Sequence, residues 1–149
     1  MWVGVITLFP ELVQAFAGVG VVSRGIAAKK LTIETFNPRD FTTDRHRTVD
    51  DQPYGGGAGM VMMAEPLSRS LQAAQNAASQ AVGRRVDAIS CPVILMSPAG
   101  VTFNQTLALQ MAEQMSLDAG DGSDAQAHSR AMILVCGRYE GIDQRFIER

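Results

Sequence analysis

Cysteine, aromatic side chains and net charge are all scarce in this chain of 149 residues. Two cysteines, Cys91 and Cys136, are too few for a disulfide framework, which points to a reducing compartment such as the cytoplasm. No apolar run approaches the length of a membrane-spanning helix. The N-terminus has no basic residues ahead of its apolar start, and Glu11 interrupts it early, which argues against a signal peptide. Thirteen Lys and Arg against fifteen Asp and Glu leave a formal charge of −2. That balance excludes a uniformly basic nucleic-acid-coating protein, but not a local basic patch.

What is present is an alternation of short apolar runs with helical periods, and 149 residues suit one domain with a real core. Trp2–Phe9 reads as a strand buried on both faces. Pro10 and Glu11 open a helix that Gly18 and Gly20 end, and a second short helix covers Ser23–Lys30. Leu31–Phe36 alternates as a strand with one wet face. Asn37–Met60 supports no regular period and reads as a long loop. Such a loop in a compact domain is either functional or disordered.

Glu65 and Pro66 restart a helix, with Leu67, Leu71, Ala74 and Ala78 on one face. Val93–Met96 is a buried strand broken by Ser97-Pro98-Ala99-Gly100. Thr102 and Gln105 have capping-box spacing ahead of a Leu107, Met111, Met115 stripe. Asp118–Arg130 reads as a mobile surface loop. Met132–Val135 is a further buried strand, and a last helix begins near Asp143. The order predicts an α/β fold: a mostly parallel sheet flanked by helices, with right-handed crossovers and no internal repeat or domain boundary. The final helix makes about two turns with no C-cap glycine, which suggests a longer protein.

In open α/β sheets, ligands bind beyond the carboxyl ends of strands. Two glycine-bearing bends leave such ends, Ser97–Gly100 and Gly137-Arg138-Tyr139-Glu140-Gly141. Either bend alone reads most simply as a turn; two of them favour a site whose main-chain groups hold a ligand. No Walker A pattern occurs, because Gly55–Gly59 is followed by Met60. Gly18-Val19-Gly20-Val21-Val22-Ser23 lacks the third glycine of a dinucleotide fingerprint. A nucleoside-like ligand gripped by backbone fits better than a cradled phosphate.

Tyr54-Gly55-Gly56-Gly57-Ala58-Gly59-Met60 concentrates four glycines, which implies unusual backbone angles or close approach. The apolar run Met60–Met63 should anchor the loop's end in a core. Arg45-His46-Arg47 is the densest positive cluster: a solvated turn by default, but one suited to phosphates. His46 lacks a nucleophile placed by a nearby motif, which disfavours a general base and a hydrolase reading. Asp118, Asp121 and Asp124 lack calcium-loop spacing, and Cys91, Cys136, His46 and His128 lack zinc spacing. Both cysteines are expected to pack as small buried residues.

Three segments, Trp2–Glu11, Pro38–Met63 and Leu134–Asp143, together resemble the bacterial tRNA (guanine-N1)-methyltransferases of the SPOUT class. The resemblance implies methyl transfer from S-adenosyl-L-methionine to N1 of the guanosine 3′-adjacent to the tRNA anticodon. It also implies a trefoil-knotted domain in a cytoplasmic homodimer whose sites use both subunits. Residues matching the family's cofactor loops are Leu95, Met96, Ser97, Pro98 and Gly100, with Gly137, Arg138, Tyr139, Glu140 and Gly141. Glu140 would have a supporting catalytic role. Those facing tRNA would be Arg45, His46, Arg47, Asp50, Tyr54, Gly55, Gly56, Gly57 and Gly59. No metal ligand set is visible in the sequence, and a metal requirement is left open.

Ala99 stands where glutamine is common in the family, and Asp118–Arg130 is an insertion expected to protrude. The family's third cofactor loop, catalytic aspartate, substrate-binding arginine and C-terminal helical domain match nothing within residues 1–149. Residues 1–149 are therefore expected to form a truncated N-terminal S-adenosylmethionine-binding domain, inactive alone and binding the donor poorly. The alternative is a non-catalytic RNA-binding or dimerisation module of the same fold.

Overall fold

The structure is a computed structural model that describes residues 1–87, 90–117 and 130–148. Four parallel strands form the central sheet in the order β2-β1-β6-β5: β1 is Trp2–Ile6, β2 Thr32–Phe36, β5 Val93–Met96 and β6 Ala131–Cys136. Between β1 and β2 lie α1 (Pro10–Ala17) and α2 (Gly20–Ala27). A two-stranded ribbon, β3 (Asp50–Asp51) against β4 (Val61–Met62), precedes α3 (Ala64–Val82). Helix α4 (Gln105–Leu117) joins β5 to β6, and α5 (Gln144–Ile147) follows β6. The α/β expectation holds. No helix among the described residues is long and apolar enough to cross a membrane.

Burial follows the apolar pattern except along β5, which was expected to be buried but is an edge strand of the sheet among the described residues, with Val93 and Met96 exposed and Ile94 and Leu95 only half-buried. All five residues of β1 are buried, as a central parallel strand requires. Trp2 is fully buried and its indole N–H donates to Glu34 Oε1 at 2.8 Å, satisfying its one polar atom. Gly4 leaves the space that the Trp2 ring fills. Along β6, Ala131, Ile133 and Val135 alternate inward. Helix α3 lays Leu67, Ala74, Ala78 and Val82 on the sheet, with Leu71 half-buried beside them. It ends at Gly83 in the left-handed conformation. By contrast, no residue of α1 or α2 is buried.

Several boundaries differ from expectation. Strand β1 stops at Ile6, because the Thr7 hydroxyl accepts the Phe9 amide and turns the chain toward α1. Gly20 opens α2 rather than ending α1, which closes at Gly18, and α2 is over by Ala27. Asn104, not Thr102, caps α4: its Oδ1 accepts the Leu107 amide at 2.9 Å. The stripe of α4 is half-buried at Leu107 and Met111. Asn37–Met60 is not wholly irregular, since Asn37 caps a 3-10 turn at Pro38–Phe41 and Asp50–Asp51 pairs with Val61–Met62. Cys91 is buried, but Cys136 is only half-buried. The expected surface loop Asp118–Arg130, with its rejected calcium spacing and His128, lies outside the described residues except for Arg130.

Candidate functional site

Because the four strands run parallel, their carboxyl ends share one edge of the sheet. Leu95 pairs with Val135 and Met96 with Cys136, so the bends that begin at Ser97 and Gly137 leave neighbouring strands side by side. Adjacent strands lie about 4.8 Å apart, which puts the two bends within reach of one small ligand. Both bends are exposed. The Ser97 bend is held by its own atoms: the Ala99 amide donates to Ser97 Oγ at 3.2 Å and the Gly100 amide to the Ser97 carbonyl at 3.1 Å. Leu95 is half-buried, and Met96 is 54% exposed.

The second bend is tied to the rest of the chain. The Glu140 amide donates to the Met60 carbonyl at 3.0 Å, the Met62 amide to the Gly141 carbonyl at 2.9 Å, and the Asp143 amide to the Met62 carbonyl at 2.9 Å. Ile142 thus forms an isolated parallel bridge with Met62 of β4. The Arg138 amide also reaches Met62 Sδ at 3.3 Å, and the Arg138 guanidinium lies 6.0 Å from the centre of the Phe9 ring. Met62, fully buried, is the hub of these contacts. The run Met60–Met63 therefore anchors the glycine-rich loop through Met62, as its composition predicts.

That loop carries Gly55, Gly56, Gly57 and Gly59 at φ of 88°, 83°, 134° and 89°, a left-handed series that explains the glycines. Gly59 has a second reason: a Cβ there would fall on the Glu140 side chain. Gly59 and Glu140, assigned by sequence to RNA and to the donor respectively, are therefore in contact. Tyr54 stands fully exposed at the loop's entrance.

The basic cluster does not act as one patch. Asp44 organises its turn, accepting from the His46 amide and from both the amide and hydroxyl of Thr48. The Thr48 hydroxyl bond holds the Asp44 carboxyl below its ordinary range. Arg47 pairs with Asp40, and its Nε donates to the Arg39 carbonyl at 3.1 Å. Arg45 is exposed and forms no ion pair among the described residues, and His46 is exposed beside it. Burial pushes the Cys91 thiol up to about 11 and raises that of Cys136, so neither supplies a thiolate nucleophile at neutral pH.

Sequence reasoning missed the role of Arg39. Its Nη1 donates to the Arg47 carbonyl at 3.0 Å, and its Nη2 lies 3.5 Å from the Tyr139 hydroxyl, which donates to Asp50 Oδ1 at 3.0 Å. Tyr139 meets Arg39 and Asp50 there across 100 and 89 residues of chain, and no local pattern announces it.

Residues 1–149 match the family described as tRNA (Guanine-1)-methyltransferase TrmD. A tRNA (guanine-N(1)-)-methyltransferase of Shewanella amazonensis is 47% identical over 148 residues, covering 99% of this chain and 50% of that protein. One from Aliivibrio salmonicida is 45% identical with the same coverage. The crystal structure of tRNA (m1G37) methyltransferase from Aquifex aeolicus superposes with a TM-score of 0.68 at 28% identity, over 99% of this chain and 56% of that one. The chain thus spans about half the length of the curated relatives it matches. On the strength of the whole-chain match, it belongs to the tRNA (guanine-1)-methyltransferase family, with the SPOUT fold.

Proposed function

We propose that residues 1–149 are the donor-binding portion of a cytoplasmic methyltransferase. It would move a methyl group from S-adenosyl-L-methionine to N1 of the guanosine 3′-adjacent to the tRNA anticodon. The observation that carries this reading is the pair of exposed bends on neighbouring strands, the second packed against a glycine-rich loop. Those main-chain groups of residues 95–100 and 137–141 that are not already bonded within the chain would grip the adenosine and methionine parts. Backbone recognition explains why Ala99 is tolerated where the family favours glutamine. The bound donor would supply an electrophilic methyl on a sulfonium.

The residues of this chain have separable tasks. Glu140, at the junction of the donor bend and the glycine-rich loop, would orient the donor or the target base, a supporting role. The exposed ring of Tyr54 suits stacking on an unpaired base. The Gly55–Gly59 backbone lets RNA approach closely, with Asp50 on the ribbon behind it, and Arg45, His46 and Arg47 lie on the flank that phosphates would follow. Guanine N1 carries a proton at neutral pH, so transfer also needs a base, worth roughly 10²–10⁴ in rate. We place that base, the third cofactor loop and the threading of the knot in the part of the relatives that this chain does not cover. Residues 1–149 alone should then bind the donor weakly and transfer no methyl.

A homodimer fits the apolar side chains that α1 and α2 leave uncovered, among them Leu12 at 69% and Phe16 at 65% exposed. The test is transfer of labelled methyl from S-adenosylmethionine to a tRNA with guanosine at the target position. It is run with this chain alone and with this chain joined to the second half of the Shewanella relative. Label on guanine N1 with the joined protein only is the expected result. Binding of tRNA without transfer, indifferent to the donor, would favour the non-catalytic module.

A further inference from the structure

Tyr139 is held in a conformation that its own chemistry disfavours. Its φ is +62°, the left-handed region in which a bulky residue is strained by about 1–3 kcal/mol. Burial does not hold it there, since the residue is 37% exposed. Its hydroxyl does make two long-range contacts, donating to Asp50 Oδ1 at 3.0 Å and lying 3.5 Å from Arg39 Nη2. Asp50 sits on β3 directly opposite Met62, and the Met62 amide bonds the Gly141 carbonyl. The hydroxyl therefore closes a ring: Tyr139 to Asp50, across the ribbon to Met62, and back to Gly141. Arg39 is itself braced, because it and Arg47 each donate to the other's carbonyl.

We propose that the Tyr139 hydroxyl is a positioning group that clamps the Gly137–Gly141 backbone, in its ligand-facing conformation, to the ribbon bearing Asp50 and the glycine-rich loop. The clamp makes Asp50 an acceptor for Tyr139 first and a contact for RNA second, and it transmits any movement of the ribbon to the donor bend. Its mechanics stand on the contacts alone; its purpose rests on the donor-site reading above. The raised phenol agrees with such contacts, since burial is the first cause of the rise and the Asp50 bond and charge the next.

The experiment uses the 149-residue chain without ligand, as Tyr139→Phe, Asp50→Ala (which, unlike asparagine, leaves no acceptor for the hydroxyl) and both together, followed by amide hydrogen exchange. One hydrogen bond lost should speed exchange at Glu140 and Met62 about three- to ten-fold in either single variant. The double variant should go no further than a single one, and the core amides of β1 and β6 should keep their rates. In a Tyr54→Phe background Tyr139 is the last tyrosine, and Asp50→Ala should lower the pH at which its phenolate absorbance appears. Unchanged exchange, singles that multiply, core amides that quicken in step, or an unmoved phenol titration would each overturn the clamp. None of these readouts involves donor or tRNA, so they decide the clamp whether or not the methyltransferase reading survives.

Discussion

The two bends at the carboxyl edge of the sheet leave neighbouring strands, yet they are built in opposite ways. Gly137–Gly141 is fastened to β4, to Phe9 and to Asp50, around a methionine that no solvent reaches. Ser97–Gly100 is held by its own hydroxyl and carbonyl, on a strand that, among the described residues, is bonded along one side only. A bend rich in glycine and free to move would lose entropy on gripping a ligand. The chain's own contacts meet that cost in advance for one wall of the proposed site and leave the other wall open.

The contrast is broken most strongly by methionine truncation. Met62→Ala removes the buried hub and should cost about 2–5 kcal/mol of unfolding free energy. Met96→Ala, at an exposed position on β5, should stay within about 0.5 kcal/mol. Urea denaturation of both variants compares them directly, and equal losses would erase the distinction between the two walls.

Glycine substitution gives the next effect. Gly59→Ala forces a Cβ onto Glu140 at a positive φ, for an expected cost of about 1–3 kcal/mol. Gly100→Ala meets only the Ser97 carbonyl oxygen, at 3.3 Å and without a positive φ, so a small local adjustment should absorb it. The urea midpoint should fall clearly for the first and little for the second.

The same division between tied and free runs through the arginines. Arg45→Ala should reduce the salt slope of tRNA binding by about one phosphate's worth while leaving thermal stability unchanged. Arg47→Ala should lower both, because Arg47 also braces Asp40 and the Arg39 carbonyl. Filter binding across a salt series, beside thermal melts, separates the two, and an unchanged slope in both variants would assign them to structure.

The smallest effect is a pH dependence beside the fastened bend. The Arg145 hydrogen bonds, side chain first, hold the Asp143 carboxyl at about 2 against an ordinary 3.8. A depressed carboxyl stabilises the fold above its unfolded value and loses that contribution as pH falls toward 2. Asp143→Asn keeps a cap for the Arg145 amide but drops the charge. Its melting temperature should therefore match the parent's more closely at pH 2 than at pH 6.

What was legible in the sequence is what local pattern encodes. Continuous apolar runs marked β1, β5 and β6, Pro10 and Pro66 marked helix starts, and helical spacing marked the buried face of α3. Both bends at the carboxyl edge of the sheet were visible as glycines after apolar runs. Strand order was not legible, because parallel pairing joins segments as distant as Trp2 and Ala131. The cap at Asn104 was hidden by Thr102, which has the capping-box glutamine at Gln105, whereas Asn104 is followed three residues on by Leu107. The Tyr139, Asp50 and Arg39 meeting was invisible for a similar reason, since side chains 89 and 100 residues apart leave no periodic trace.

The most direct test is to titrate S-adenosylmethionine into the isotopically labelled chain and follow backbone amide resonances. Weak binding, saturating only at millimolar donor, should shift resonances at residues 95–100 and 137–141 together and leave Gly18–Ser23 in place. Shifts confined to one bend or centred elsewhere, or no shift at all, would contradict a donor site built from these two stretches of main chain.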